Sequence, residues 1–305
     1  MVRSESTRPA PLALWALVSV AGVVSVISGC ADGTAIAKRA TPPLQAQALR
    51  LTPLTLRIDH APVPVKGSDG RLHVVYEIEL ANRTGANVDV EGLEVLDAAT
   101  GAVIASLDAA QLRPRLVVRD RGARPGRLGP SQLGLLYLHL ALGASVVPPT
   151  LIDHRMRVSV ETGSATFVAG RTAVDRATDL VLDAPLRGSR FIAGDGCCEN
   201  TRHMHASLSL NGSMYTAQRF AIDWEQLDGQ GRIHVGDPKD PASYIIYGQP
   251  AHADADARVV AAVDGLPNSP PGELPPNLPI EQADGNHVVL DLGGGRYALY
   301  AHLQP

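Results

Sequence analysis

The stretch Val74-Val75-Tyr76-Glu77-Ile78-Glu79-Leu80 decides the fold. Tyr76, Ile78 and Leu80 alternate with two glutamates. Successive side chains of a strand point to opposite faces, so this pattern predicts a half-buried strand with one apolar and one wet face. Arg155-Met156-Arg157-Val158-Ser159-Val160-Glu161 repeats the alternation. Working outward, further strands are expected at 54–59, 88–96, 102–107 and 133–142. Asp69-Gly70, Thr84-Gly85, Thr100-Gly101 and the Pro/Gly-rich 123–130 supply the turns between them.

Short strands at this spacing fit an antiparallel β-sandwich of immunoglobulin type over 51–162. No Cys pair or strand-buried Trp marks it, so the pattern alone carries the expectation. His60, His73, His139 and His154 fall on separate strands and read as ordinary sheet histidines. This half reads as a spacer or interaction module.

Composition bounds the rest. The 305 residues suffice for two domains and a leader, and a net charge of −4 offers no basic surface for nucleic acid. Apolar residues make up 45% and aromatics 4%, so the cores must be built from Val, Leu, Ile and Ala. With 29 Gly and 23 Pro, short strands and turns are favoured over long helices. Three cysteines cannot staple a chain of this size, which excludes a disulfide-framework fold.

Residues 1–29 read as a signal peptide, with Arg3 and Arg8 ahead of an apolar run from Leu12 to Ile27. Its end, Ile27-Ser28-Gly29-Cys30, is similar to a bacterial lipobox, in which Cys30 accepts the lipid. The expectation is an exported protein, anchored through Cys30 to a membrane without a spanning helix. Ala31 after the cysteine implies the outer membrane, facing the periplasm, in a Gram-negative cell. Residues 30–50, with Pro42-Pro43, read as a tether.

Residues 163–190 are expected to connect to a second β-rich region, 191–305. Asn211-Gly212 predicts a hairpin between 203–210 and 214–223, and Gly293-Gly294-Gly295 turns 287–292 back into 296–302. The six-proline stretch 264–284 between them is a long loop, of the kind that is usually functional or mobile.

Four segments of this region follow a familiar order: Arg219-Phe220-Ala221-Ile222-Asp223-Trp224, Ala257–Gly265, Gly285-Asn286-His287-Val288-Val289-Leu290-Asp291, and Tyr297-Ala298-Leu299-Tyr300-Ala301-His302-Leu303. Together they resemble the lysostaphin/LytM-like zinc metallopeptidases, which are peptidoglycan endopeptidases. The resemblance covers about 203–305. It implies Zn²⁺ held by two His and one Asp with an open position for water. Asp223 matches the ligand aspartate and His302 the catalytic histidine of the Y-x-H-L strand.

Two departures stand out. Arg219 occupies the place of the first zinc-binding histidine, and a guanidinium stays protonated and cannot bind a cation. On a single strand, 219 and 223 would share a face, so Arg219 is expected to pair with Asp223 or repel a cation. The family's His-x-His does not follow Tyr300–Leu303, so the chain reads as a truncated LytM-like β domain.

His203-Met204-His205 offers a replacement ligand. A three-residue hairpin loop, 211–213, places His205 opposite Arg219 on the face of Asp223. A two-residue turn places it opposite Gln218, with both histidines on the other face. Nearby Cys197 and Cys198 admit a metal cluster with His203 and His205, a vicinal disulfide, or inert thiols. Asp254 and Asp256 read as part of a solvated turn.

These features point to an all-β envelope protein. As an enzyme it would be a zinc metallopeptidase acting on peptidoglycan peptide cross-links; as a non-catalytic domain it would bind peptidoglycan or regulate an amidase.

Overall fold

In the computed structural model, residues 50–120, 122–176, 180–196, 202–210, 212–273 and 277–305 are described. The chain is nearly all β, with several antiparallel sheets and, among the described residues, one α-helix. The strands are β1 (Leu54–Arg57), β2 (Val63–Lys66), β3 (Leu72–Asn82), β4 (Val88–Asp97), β5 (Val103–Asp108), β6 (Leu116–Val117), β7 (Arg127–Leu128), β8 (Leu133–Leu142), β9 (Leu151–Val160) and β10 (Gly163–Ala173). They are followed by β11 (Phe191–Asp195), β12 (Ser207–Leu210), β13 (Ser213–Thr216), β14 (Asp223–Gln226), β15 (Arg258–Val263), β16 (Asn286–Gly293) and β17 (Arg296–Leu303).

The first ten strands make two sheets. One runs β1-β3-β8-β6, with β2 taking the other end of the β3 edge that β1 uses; the other runs β10-β9-β4-β5, with β7 on β4. Period-two alternation supplies their shared core. Tyr76, Ile78 and Leu80 are fully buried, and Met156 and Val158 do the same from β9. Burying each such aliphatic side chain contributes on the order of 1.5–3 kcal/mol. Residues 163–173, expected to begin a connector, instead form edge strand β10 along β9, because Ala165 and Phe167 add to the same apolar face. Helix α1 (Ala109–Leu112) is a single turn fixed by a capping box between Asp108 and Gln111.

Inside the sandwich one polar pair is fully enclosed. His154 Nδ1 lies 2.9 Å from the Gly170 carbonyl and its Nε2 lies 2.8 Å from Tyr76 Oη. A carbonyl only accepts, so Nδ1 carries the proton and Nε2 accepts from the tyrosine. Burial drives the imidazole pKa down to about 4 and pushes the phenol upward, which keeps both neutral.

The outer face of the β3–β8 sheet departs from the expectation of a wet surface. Glu77 is only 6% exposed. Val75 and Tyr137, also on that face, pack with Met204, which comes from far along the chain. Arg50–Pro305 form one compact unit.

In the second half, β12 and β13 pair antiparallel, with Ser207 opposite Thr216 and Leu210 opposite Ser213. His203–His205 is a turn of 3₁₀-helix, not strand, so His205 pairs across the hairpin with neither Arg219 nor Gln218, as the two expected registers had it. The second strand also stops at Thr216. Residues 217–220 turn, with Ala221 N–H donating to the Gln218 carbonyl, and the chain resumes as β14, paired with β11. Strands β15-β16-β17 form a separate three-stranded sheet, with Gly294 and Gly295 turning β16 into β17. Both glycines have positive φ (62° and 75°), as a tight hairpin turn requires.

Candidate metal centre

Strands β11 and β14 bring two carboxylates face to face. Asp195 and Asp223 are register partners, just past an irregularity between Ala193 and Asp195. The chain leaving β11 returns as the 3₁₀ turn, whose first residue is His203. Its Nε2 lies 3.2 Å from Asp223 Oδ1. One ligand atom each from Asp195, His203 and Asp223 lies within 4.8 Å of the others, the one such group of three or more found among the described residues.

The histidine is held, not merely nearby. Its side chain is 8% exposed, because Met204 beside it is sunk against Val75 and Tyr137. Its Nδ1 is buried and has no hydrogen-bond partner among the described residues. A buried imidazole nitrogen without a partner is costly, and such sites commonly serve a ligand.

Two facing carboxylates repel, and Arg202 offsets this. Its guanidinium reaches Asp195 Oδ2 at 3.2 Å and also pairs with Asp223. Attraction to Asp223, then hydrogen bonding to Asp195, raises the arginine pKa. Its side chain is 75% exposed, so it can swing into solvent. Glu225, two residues beyond Asp223 on the same strand face, has its carboxyl pKa pushed up, by burial first and by Asp223 second. Its Oε2 is buried without a hydrogen-bond partner among the described residues.

The donor set suits a divalent cation. One imidazole and two carboxylates match the ligand types and number of a catalytic zinc site with an open position. Arg202 shows that the place between the carboxylates accommodates positive charge.

The residues singled out in the sequence fall as follows. Asp223 is in the group. His203, not His205, is the histidine beside it. His205 turns the other way and packs against Tyr137, with ring centroids 4.5 Å apart and the planes tilted by 37°. Burial and the nearby Arg119 lower its pKa. Arg219 neither pairs with Asp223 nor faces the carboxylates. It lies in the turn 217–220 and reaches the outer face of the sandwich as a fork onto Glu77, Nε to Oε1 at 3.1 Å with Nη2 on Oε2. His302 ends β17 exposed and outside the group, with φ of +57° and its N–H donating to the Asp284 carbonyl at 2.9 Å. Asp254 N–H donates to Tyr300 Oη at 2.8 Å. Cys30, Cys197 and Cys198 lie outside the described residues.

Asp195 and Arg202 had escaped the sequence reading. Asp195 had no periodic or spacing signal of its own; only its pairing with Asp223 across β11–β14 gives it a role. Arg202 stands directly before His203, and its charge beside a candidate ligand was the available signal.

No protein-family model matches the chain, and no curated protein matches it. Similar solved structures include a structural-genomics target (12% identity, TM-score 0.27, 42% of this chain and 92% of that one). Another is a protein described as ApaA from Bordetella pertussis (14%, 0.25, 42% and 100%). A third is a FixG-related protein from Vibrio parahaemolyticus (9%, 0.22, 41% and 98%). No described helix is long and apolar enough to cross a membrane.

Proposed function

We propose that this chain is a cell-envelope protein of the zinc metallopeptidase type, acting on the peptide cross-links of peptidoglycan. The observation that carries the reading is the convergence of His203 and Asp195 on Asp223, the aspartate singled out by the LytM resemblance. Asp195, His203 and Asp223 would hold the ion. Zinc would supply a polarised carbonyl and an acidified water. The protein's own contribution is placement: the β11–β14 ladder fixes both carboxylates, and the seat of Met204 fixes the imidazole. The resemblance also makes His302 a proton-handling residue near the scissile bond. The lipobox-like leader ending at Cys30 fits an enzyme held at the cell wall.

A second reading keeps the fold without catalysis, as a domain that binds peptidoglycan or regulates an amidase. It is favoured by Arg202, which already pairs with both carboxylates. One experiment separates the two. The purified chain, loaded with zinc, is incubated with cross-linked muropeptides and with whole sacculi. Cleavage lost in Asp223→Asn supports the peptidase. Retention on sacculi without cleavage, equal in wild type and Asp223→Asn, supports the binding domain. Neither cleavage nor retention removes the cell-wall reading altogether.

A further inference from the structure

The sequence reads the sandwich as a spacer or interaction module, and the geometry points to a more specific role: we infer that it is half of the scaffold of the metal centre, with Glu77 as a positioning residue. The inference rests on the reading of Asp195, His203 and Asp223 as ligands. Three facts carry it. Glu77 is buried on the outer face of the sheet, directly across from Tyr137 on β8. Its carboxylate takes the Arg219 fork, and the pair is deeply enclosed, with side chains 4% and 11% exposed. Arg219 is four residues before Asp223, and Tyr137 receives the segment carrying His203.

Further ties follow the histidine along the chain. Met204 sits against Val75 and Tyr137, and Tyr137 Oη hydrogen-bonds Ser207 Oγ at 2.6 Å. His60 Nε2 holds the Met214 carbonyl at 2.8 Å, and Arg119 donates to the His205 carbonyl at 3.3 Å. The sheet therefore grips the chain between His203 and Asp223 at both ends and in the middle. Asp223 follows His203 by 20 positions, and Met204, His205, Ser207, Met214 and Arg219 between them are each held by a sandwich residue.

This also gives Arg219 a physical role. A histidine at 219 could not span the same gap with two parallel N–H···O bonds, whereas a guanidinium fork matches a carboxylate in both distance and plane. The residue that departs from the metallopeptidase pattern holds the site to the sandwich, while His203 supplies the imidazole.

The test uses the full chain and two independent readouts, backbone hydrogen exchange and zinc affinity by titration. In Glu77→Ala, exchange is expected to rise at 203–206 and 223–226 but not at 88–97 and 151–160, the far sheet of the sandwich. Zinc affinity should fall by about tenfold or more, the usual effect of losing a residue that orients ligands. Glu77→Gln keeps an acceptor for Arg219 and should lie between Glu77→Ala and wild type in both readouts; it also serves if the alanine variant does not fold. Exchange unchanged at 203–206 and 223–226, or raised equally over the far sheet, overturns the inference. Asp223→Asn, titrated in parallel, tests the metal reading separately. Equal zinc uptake by it and wild type removes the metal, while the exchange pattern still decides whether Glu77 positions this segment.

Discussion

Asp195 and Asp223 stand opposite each other across the β11–β14 ladder, and one exposed guanidinium, that of Arg202, reaches both. Like charges directly opposed on a sheet destabilise it, so Arg202 acts as an internal counter-ion. It also competes with any cation for the same two carboxylates. Arg202→Ala should therefore raise zinc affinity, measured by titration calorimetry. The metal-free protein should lose at most about 1 kcal/mol, since an exposed side chain is screened by solvent. Weaker zinc binding in Arg202→Ala would show that the arginine does not compete for the site.

The Tyr76–His154 pair makes a pH prediction in the sandwich. The folded imidazole titrates at about 4, below the 6.5 of an exposed histidine. Between these values the unfolded chain binds the proton and the folded one does not. His154 therefore costs the fold nothing above about pH 6.5 and destabilises it increasingly as pH falls toward 4, by about 3 kcal/mol in all. Urea unfolding across this range should show the slope, and His154→Gln should flatten it. Tyr76→Phe removes the donor to Nε2 and should cost about 1–3 kcal/mol at neutral pH.

Asn82, at the end of β3, is buried and ties together the turns at one end of the sandwich. Its Nδ2 faces the carbonyls of Ala86, Leu128 and Gly129 at 2.8, 3.2 and 2.8 Å. Its Oδ1 accepts from Thr84 N–H at 2.9 Å and from Thr84 Oγ1 at 2.8 Å. Asn82→Asp is nearly isosteric but sets a second oxygen against three carbonyl oxygens. Thermal unfolding should show a loss of about 3 kcal/mol or more. Thr84→Ala should cost less, since the backbone N–H of residue 84 still reaches Oδ1.

How far the sequence reached follows from the range of the forces involved. Alternation around Tyr76 is local, and it led to strands close to those observed and to an all-β chain. Glu77 alternates in the same way and was expected to be wet; it is dry because the chain from Met204 to Arg219 returns to cover it. Local pattern cannot distinguish a polar face meant for water from one meant for a distant arginine. Asn211-Gly212 announced its turn, but propensity did not reveal that the strand breaks after Thr216. That break separates Arg219 from Asp223 and lets each take a different partner. Asp195 was invisible because a carboxylate gains meaning here only from the strand laid against it.

The two histidines of His203-Met204-His205 provide the sharpest test of the site. They are two residues apart, which on a strand would place both on one face. The 3₁₀ turn separates them: His203 Nε2 lies 3.2 Å from Asp223 Oδ1, while the His205 ring packs at a tilt against Tyr137. Met204 between them is 1% exposed and anchors the turn, so neither ring can exchange places with the other without unseating it. His203→Ala should abolish zinc retention after gel filtration, as metal analysis will read directly. His205→Ala should keep zinc at the wild-type stoichiometry while losing about 0.5–1.5 kcal/mol of stability with the aromatic contact. The reverse pattern, with zinc lost in His205→Ala and kept in His203→Ala, would place the ligand on the wrong side of Met204 and sink the assignment of the centre.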